Sequence, residues 1–95
     1  MNIHEKIALK KILSYLMDGN RKAFFALYFI KANYKEWPAM IIWLKRNNIR
    51  GQKLVEFFEN ESKDGGGYHS GATKILSMID GLKHRTRMVK GDELK

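Results

Sequence analysis

The feature that most constrains the fold is the segment from residue 43 to residue 57, WLKRNNIRGQKLVEF. Apolar residues recur at helical spacing on both sides of a polar stretch, Asn47 to Gly51, that is rich in turn-forming residues. The segment therefore predicts two short amphipathic helices that meet at a tight corner. Basic residues lie on both sides of the predicted turn, which makes the corner a candidate for binding a polyanion.

Length and composition indicate one small domain with a dense core. The chain has 95 residues, of which 44% are hydrophobic and 12% aromatic, so it is too short for two ordinary domains and too apolar for a disordered chain. It contains no cysteine, which excludes a disulfide scaffold and a thiolate metal site. We expect residues 1–84 to form a single helical domain and residues 85–95 to form a basic, mobile tail.

Helical spacing of apolar residues predicts an all-α fold, a compact bundle of four to five short helices that contains the corner. The predicted helices cover residues 2–17, residues 20–32, a segment that begins near Pro38, residues 52–60 and residues 71–82. The run from Ala23 to Ile30 could be a buried strand on composition alone. Because no other segment offers a strand partner, we expect a helix that is apolar on all sides at the centre of the bundle.

The stretch SKDGGGYHS after the fourth helix is expected to be a loop. Residues 66–74 nearly fit the phosphate-binding pattern G-x-x-x-x-G-K-[ST], but Ala72 occupies the lysine position and no strand precedes the loop. Nucleotide hydrolysis is therefore not expected. Either Ser70 caps the fifth helix in a simple connector, or the helix N-terminus holds a phosphate oxygen. The side chains that would support the phosphate are His69, Ser70, Thr73 and Lys74.

The charge is strongly positive and unevenly distributed. The formal net charge is +8 with a pI near 9.8, which favours polyanionic partners. Residues 83–90 are basic without an acid, whereas residues 51–64 contain more acids than bases. Since that acidic stretch covers the end of the fourth helix, contact with a polyanion must come from the start of that helix.

The corner resembles the helix-turn-helix of DNA-binding proteins over about twenty residues. Asn48 can take the turn position because asparagine tolerates positive φ. Ile49 follows it, and Leu54 and Phe57 stand at the apolar positions further along the second helix. Leu44 occupies a position where such motifs usually have alanine, which requires a wider separation or a different crossing angle of the two helices.

The resemblance implies a small non-enzymatic protein that binds double-stranded DNA, and it is compatible with a homodimeric regulator. Arg50, Gln52 and Lys53 would then face the major groove and contact bases. The residues that would contact the phosphate backbone are Lys45, Arg46, Lys74, Arg85 and Arg87. A short, basic, cysteine-free chain also resembles the accessory and transcription-regulating proteins that phages encode.

Nothing in the sequence indicates catalysis, a metal or a cofactor. The histidines His4, His69 and His84 have no second ligand at helical spacing, so neither an enzyme nor a small-molecule substrate is expected. Charged residues interrupt the apolar stretch near the N-terminus, which is therefore not expected to be a signal peptide. No apolar run approaches the ~20 residues that span a bilayer. We therefore expect a soluble cytoplasmic protein without a membrane partner.

Two rival functions remain open. The first is a protein-interaction module or inhibitor that docks on a partner through an exposed Trp43 or through the acidic stretch from Glu56 to Asp64. Its basic surface would only steer association. Trp43 lies off the apolar stripe of its helix, so either it is exposed at such an interface or the bundle buries it. RNA binding ranks lower, because a sheet that carries stacking aromatics is not expected.

Overall fold

The computed structural model describes residues 2–79, apart from the side chains of residues 64 and 66. This part of the chain consists of helices and turns without a strand, which confirms the predicted all-α, single-domain bundle. The helices are α1 (Ile3–Met17), α2 (Arg21–Asn33), α3 (Trp37–Arg46) and α4 (Gln52–Glu61), followed by a π-helical turn (Ser62–Gly66) and by α5 (residues 67–79).

Asparagine caps set the starts of the first two helices. The Asn2 side chain accepts a hydrogen bond from the Glu5 N–H at 2.8 Å, and the Glu5 carboxylate accepts one from the Asn2 N–H. Asn20 accepts from the N–H groups of Lys22 and Ala23. These caps replace the partners that first-turn N–H groups lack. The third helix begins at Trp37 with Pro38 in its first turn, where proline is well tolerated.

One apolar core joins all five helices. Helices α1 and α2 pack on each other and on α3, and α2 also packs on α4. Fully buried side chains come from every helix, and they include Leu16, Ile30, Met40, Ile41, Leu44, Leu54, Phe58 and Ile75. Within residues 2–79, every helix is too short or too polar to cross a membrane.

The prediction that α2 is buried on all sides is wrong. Its inner face consists of Ala23, Ala26, Leu27 and Ile30, which are buried. On the outer face, Phe24 is 46% exposed, Phe25 51% and Tyr28 63%. Helix α2 packs on α1, α3 and α4, and its Phe29 packs on α5. These neighbours leave the other three aromatic side chains of the helix exposed.

The predicted glycine-rich loop is also wrong in its extent. Residues 62–66 continue from α4 as a π-helical turn with a kink at Gly65, where φ is 88°. Helix α5 begins at residue 67 and not at residue 71. Ser70 therefore lies within α5 and does not cap it. Gly71 is buried against Phe58, since a Cβ at this position would lie 2.6 Å from the Phe58 ring, so a glycine allows α5 to approach α4 closely.

Candidate nucleic-acid interface

The turn of the corner ends α3 with a Schellman motif. Asn48 has φ of 56°, which confirms the expected left-handed residue, and its N–H donates to the Lys45 carbonyl at 3.0 Å. The Ile49 N–H donates to the Leu44 carbonyl at 2.9 Å. This pair of bonds is the pattern that closes a helix around one left-handed residue. Leu44 is fully buried, and Ile49 packs against the same core.

The C-terminus of α1 is half closed by its own chain. The Asp18 N–H donates to the Ser14 carbonyl at 3.2 Å, and the Asn20 N–H donates to the Met17 carbonyl at 2.8 Å. The last four carbonyls of a helix have no partner within the helix. The carbonyls of Tyr15 and Leu16 therefore need donors from another part of the chain.

The turn of the corner supplies both donors. The Gly51 N–H donates to the Leu16 carbonyl at 2.7 Å, and the Arg50 Nε donates to the Tyr15 carbonyl at 3.0 Å. The Arg50 guanidinium also lies 2.9 Å from an Asp18 carboxylate oxygen and 4.1 Å from the centre of the Tyr15 ring. A cation at a helix C-terminus is favourable because it complements the helix dipole. These contacts fix the corner against α1.

Gly51 is required at this contact for two reasons. Its φ of 57° and ψ of −128° belong to a backbone region that residues other than glycine rarely adopt. A Cβ at this position would also lie 2.8 Å from the Asp18 carboxylate. The backbone of the turn can therefore touch α1 only through a glycine.

Four of the predicted DNA contacts are exposed around the turn. They are Lys45 and Arg46 at the end of α3, and Gln52 and Lys53 at the start of α4. The α1 residue Lys11 joins them, because it lines a shallow recess together with Tyr15 and Lys45. We call these five side chains, Lys11, Lys45, Arg46, Gln52 and Lys53, the corner surface.

Arg50 differs from the other predicted base contacts. Its side chain is only 32% exposed and makes the three contacts with Tyr15 and Asp18. A base contact by Arg50 would have to break those bonds. Gln52 keeps an exposed side chain, although its amide oxygen accepts a hydrogen bond from Asn20 at 3.2 Å.

The acidic end of α4 is partly paired with cations. Glu59 lies 4.0 Å from Lys22 at the start of α2, and Glu61 lies 2.8 Å from Lys74 of α5. Glu56 is exposed one turn after Lys53. Positive charge therefore surrounds the start of α4, and negative charge begins about one turn further along.

The residues near the glycine-rich stretch that were predicted to support a phosphate lie elsewhere in the bundle. His69 Nδ1 is 3.0 Å from the Tyr34 hydroxyl at the end of α2, and the His69 ring packs edge-on against Phe29. Ser70 is half-buried, and Lys74 binds Glu61. A phosphate at these residues would compete with contacts inside the protein. Arg85 and Arg87, like the predicted basic tail, lie outside the described residues.

The two surfaces proposed for docking on a partner protein, Trp43 and the acidic stretch from Glu56 to Asp64, are less exposed than the sequence suggests. Trp43 is half-buried, with its ring 6.2 Å from that of Phe57, so the bundle covers much of it. The acidic stretch is engaged at two of its glutamates. Within residues 2–79, no cluster of three or more histidine and carboxylate side chains could hold a metal ion.

Sequence reasoning missed Lys11, Tyr15 and Asp18, which meet the corner from α1. The spacing of Lys11 and Tyr15 places them on one helix face. Nothing in that spacing indicates which part of the chain they would contact. Comparison of the chain with protein-family models, with curated proteins and with solved structures finds no match.

Proposed function

We propose that this protein is a small, non-enzymatic DNA-binding protein that docks on duplex DNA through the corner surface. The observation that carries the proposal is the exposure of four cations and one amide around a turn that is fixed to α1 by hydrogen bonds. A fixed turn presents these groups in one geometry, so less entropy is lost on binding.

Phosphate contacts would supply most of the affinity. Lys45 and Arg46 are exposed at the end of α3, and Lys11 of α1 lines a recess beside Lys45. Such cations position a protein on the backbone without reading sequence. Gly51 offers no side-chain cap at the N-terminus of α4. The N–H groups of Lys53 and Leu54 nevertheless donate to the Arg50 and Gly51 carbonyls at 3.1 Å, so the cations, and not the helix N-terminus, would carry the phosphate contacts.

Base contacts would come from Gln52 and Lys53 at the start of α4. Glutamine can pair with adenine, and lysine can donate to guanine. We assign Arg50 a different role from the one the motif implies: it holds the turn on α1 and does not read a base. Sequence preference would then be modest and would depend mainly on Gln52.

Salt dependence of binding tests the proposal. If the four cations of the corner surface each neutralise one phosphate, the slope of log K against log[salt] should be about −3.6. Fluorescence anisotropy with a random duplex measures this slope. A slope near zero, or the absence of binding at low salt, contradicts the proposal.

A matched pair of double variants locates the contact. Lys45→Ala with Arg46→Ala should make the slope less negative by about two. Lys35→Ala with Lys63→Ala removes the same charge just beyond the far ends of α3 and α4, about 15 Å along the helix axes from the turn, and should change the slope little. Equal effects from both pairs would indicate attraction to net charge without a defined surface.

A further inference from the structure

A second surface runs between α1 and α2 as an apolar trough. One part has a volume of about 310 Å³, and its lining is Lys10, Leu13, Ser14, Met17, Phe24, Leu27, Tyr28 and Lys31. It continues into a part of about 380 Å³ that shares Lys10, Leu13 and Lys31 and adds Lys6, Leu9 and Trp37. From Lys6 to Met17 the trough follows α1 for about three helical turns.

The aromatic wall of the trough does not contribute to the core. Phe24 and Tyr28 are 46% and 63% exposed, and their rings lie 6.4 Å apart along the outer face of α2. Single exposed apolar residues are ordinary on a monomer, whereas a contiguous exposed aromatic and aliphatic surface marks an interaction site. In the free protein this surface is in contact with water.

The trough and the corner surface lie on opposite sides of α1. The recess beside Lys45 is lined on α1 by Ala8, Lys11, Ile12 and Tyr15. The trough uses the residue two positions after each of these, namely Lys10, Leu13, Ser14 and Met17. A step of two residues turns a helix by about 200°, so a ligand in the trough need not displace DNA.

The charges around the trough favour a partner that carries negative charge. Lys6, Lys10 and Lys31 line it, and no carboxylate does so in the described part of the chain. The Lys31 ammonium lies 5.5 Å from the centre of the Trp37 ring, which holds a positive charge beside the apolar floor. Complementary charge at the rim speeds association and excludes partners of the wrong sign.

We infer that the trough binds an amphipathic helix of a partner protein, with an apolar stripe that faces Leu13, Phe24 and Tyr28 and with acidic residues beside the stripe. A helix laid in a groove presents apolar side chains at i, i+3, i+4 and i+7. About three turns of such a helix match the length of the trough. The partner's carboxylates would then meet Lys6, Lys10 and Lys31.

The structure disfavours the other occupants. A bilayer surface is flat on this scale, whereas the trough is concave and accepts protruding side chains. A second copy of this chain would bring its own lysine rim against the first. The acidic helix α4 cannot serve as the insert either, because its apolar residues Leu54, Val55 and Phe58 are buried in its own core.

Synthetic peptides provide the test. The probe is a panel of acidic amphipathic peptides of about 12 residues, with leucine or phenylalanine at the stripe positions and glutamate beside them. The control panel replaces every glutamate with lysine. Isothermal titration of the full chain should show saturable binding of acidic peptides and at least tenfold weaker binding of basic ones.

Two matched comparisons locate the binding. Phe24→Ala with Tyr28→Ala should lower the affinity for the acidic peptide at least tenfold. Phe25→Ala, on the same helix but outside the trough lining, should change that affinity less than twofold. Lys10→Glu should weaken binding about tenfold, and Lys11→Glu should not. Circular dichroism of each variant checks that the bundle is intact.

Four outcomes overturn the inference. In the first, no acidic peptide binds saturably. In the second, the basic peptides bind as tightly as the acidic ones. In the third, Phe25→Ala lowers the affinity for the acidic peptide as much as the double variant does. The fourth is a Phe24- and Tyr28-dependent attachment to phosphatidylserine vesicles, or dimerisation in sedimentation, that prevents peptide binding, because either would identify a membrane or a second copy as the occupant. None of these results bears on DNA binding by the corner surface.

Discussion

The two sides of α1 carry surfaces of opposite character. On one side, Lys11 and Tyr15 lie beside the corner, where hydrogen bonds fix the backbone of the turn and exposed cations surround it. On the other side, the trough exposes aromatic and aliphatic side chains beneath a lysine rim. Positive charge is common to both, so net charge alone cannot say which ligand each side binds. The difference lies in how each surface is built.

The two surfaces also differ in the contacts that fix their geometry. The corner is held by contacts between residues more than thirty positions apart, such as Arg50 with Asp18. Helices α1 and α2 form most of the walls of the trough, and Trp37 of α3 lines one end. A surface that positions phosphate contacts gains from a fixed geometry, whereas an apolar trough can bind through area alone.

The largest effect is expected from Gly51→Ala. Alanine at this φ and ψ is strained, and its Cβ would collide with the Asp18 carboxylate. We expect a loss of about 2–4 kcal/mol in the free energy of unfolding, from backbone strain and overpacking together. Urea unfolding measures it. Gly19→Ala is the control: its φ is 68° but no atom lies within 4 Å, so about 1 kcal/mol should be lost. Equal losses would mean that the turn does not press on α1.

The next effect separates the two surfaces through adjacent lysines. Lys11→Glu should weaken binding to a random duplex about tenfold at low salt, since one phosphate contact is lost and a repulsive charge is added. Lys10→Glu should change DNA affinity much less, because its side chain lines the trough. Anisotropy titrations of both variants give the comparison. Indistinguishable affinities would remove the division between the two sides.

A smaller effect distinguishes the role of Arg50 from that of Gln52. Arg50→Lys keeps the charge but loses the hydrogen-bond geometry to Tyr15 and Asp18, which should lower stability by about 1 kcal/mol. Its sequence preference among duplexes should be unchanged. Gln52→Ala should leave stability almost unchanged and relax the preference. A relaxed preference in Arg50→Lys, with stability unchanged, would restore Arg50 as a base-reading residue.

The smallest effect is the change in protein stability when aromatic residues of the trough are replaced. Phe24→Ala with Tyr28→Ala removes two large rings, yet both are half exposed. Surface substitutions of this kind usually change stability by less than about 0.5 kcal/mol each, and alanine favours the helix. Thermal unfolding measures the change. A loss above about 3 kcal/mol, as for a buried aromatic, would show that the rings belong to the core.

Sequence reasoning predicted the features that depend on residues close together in the chain. The start of α2 at Asn20, the proline at the start of α3 and the left-handed Asn48 each depend on interactions within a few residues. Long-range contacts could not be predicted: no local pattern links Arg50 to the end of α1. The aromatic face of α2 was missed for another reason, since a run without polar residues does not indicate which of its sides faces solvent.

The most direct test of the account is a nitrogen–proton correlation spectrum of the labelled protein during titration with a random DNA duplex. We expect the amide signals of Lys11 and of residues 45–53 to shift, while those of residues 24–31 stay in place. Subsequent addition of an acidic amphipathic peptide should then shift residues 24–31 without reversing the first changes. Shifts centred on residues 24–31 upon DNA addition, or no shift at the corner, would contradict the account.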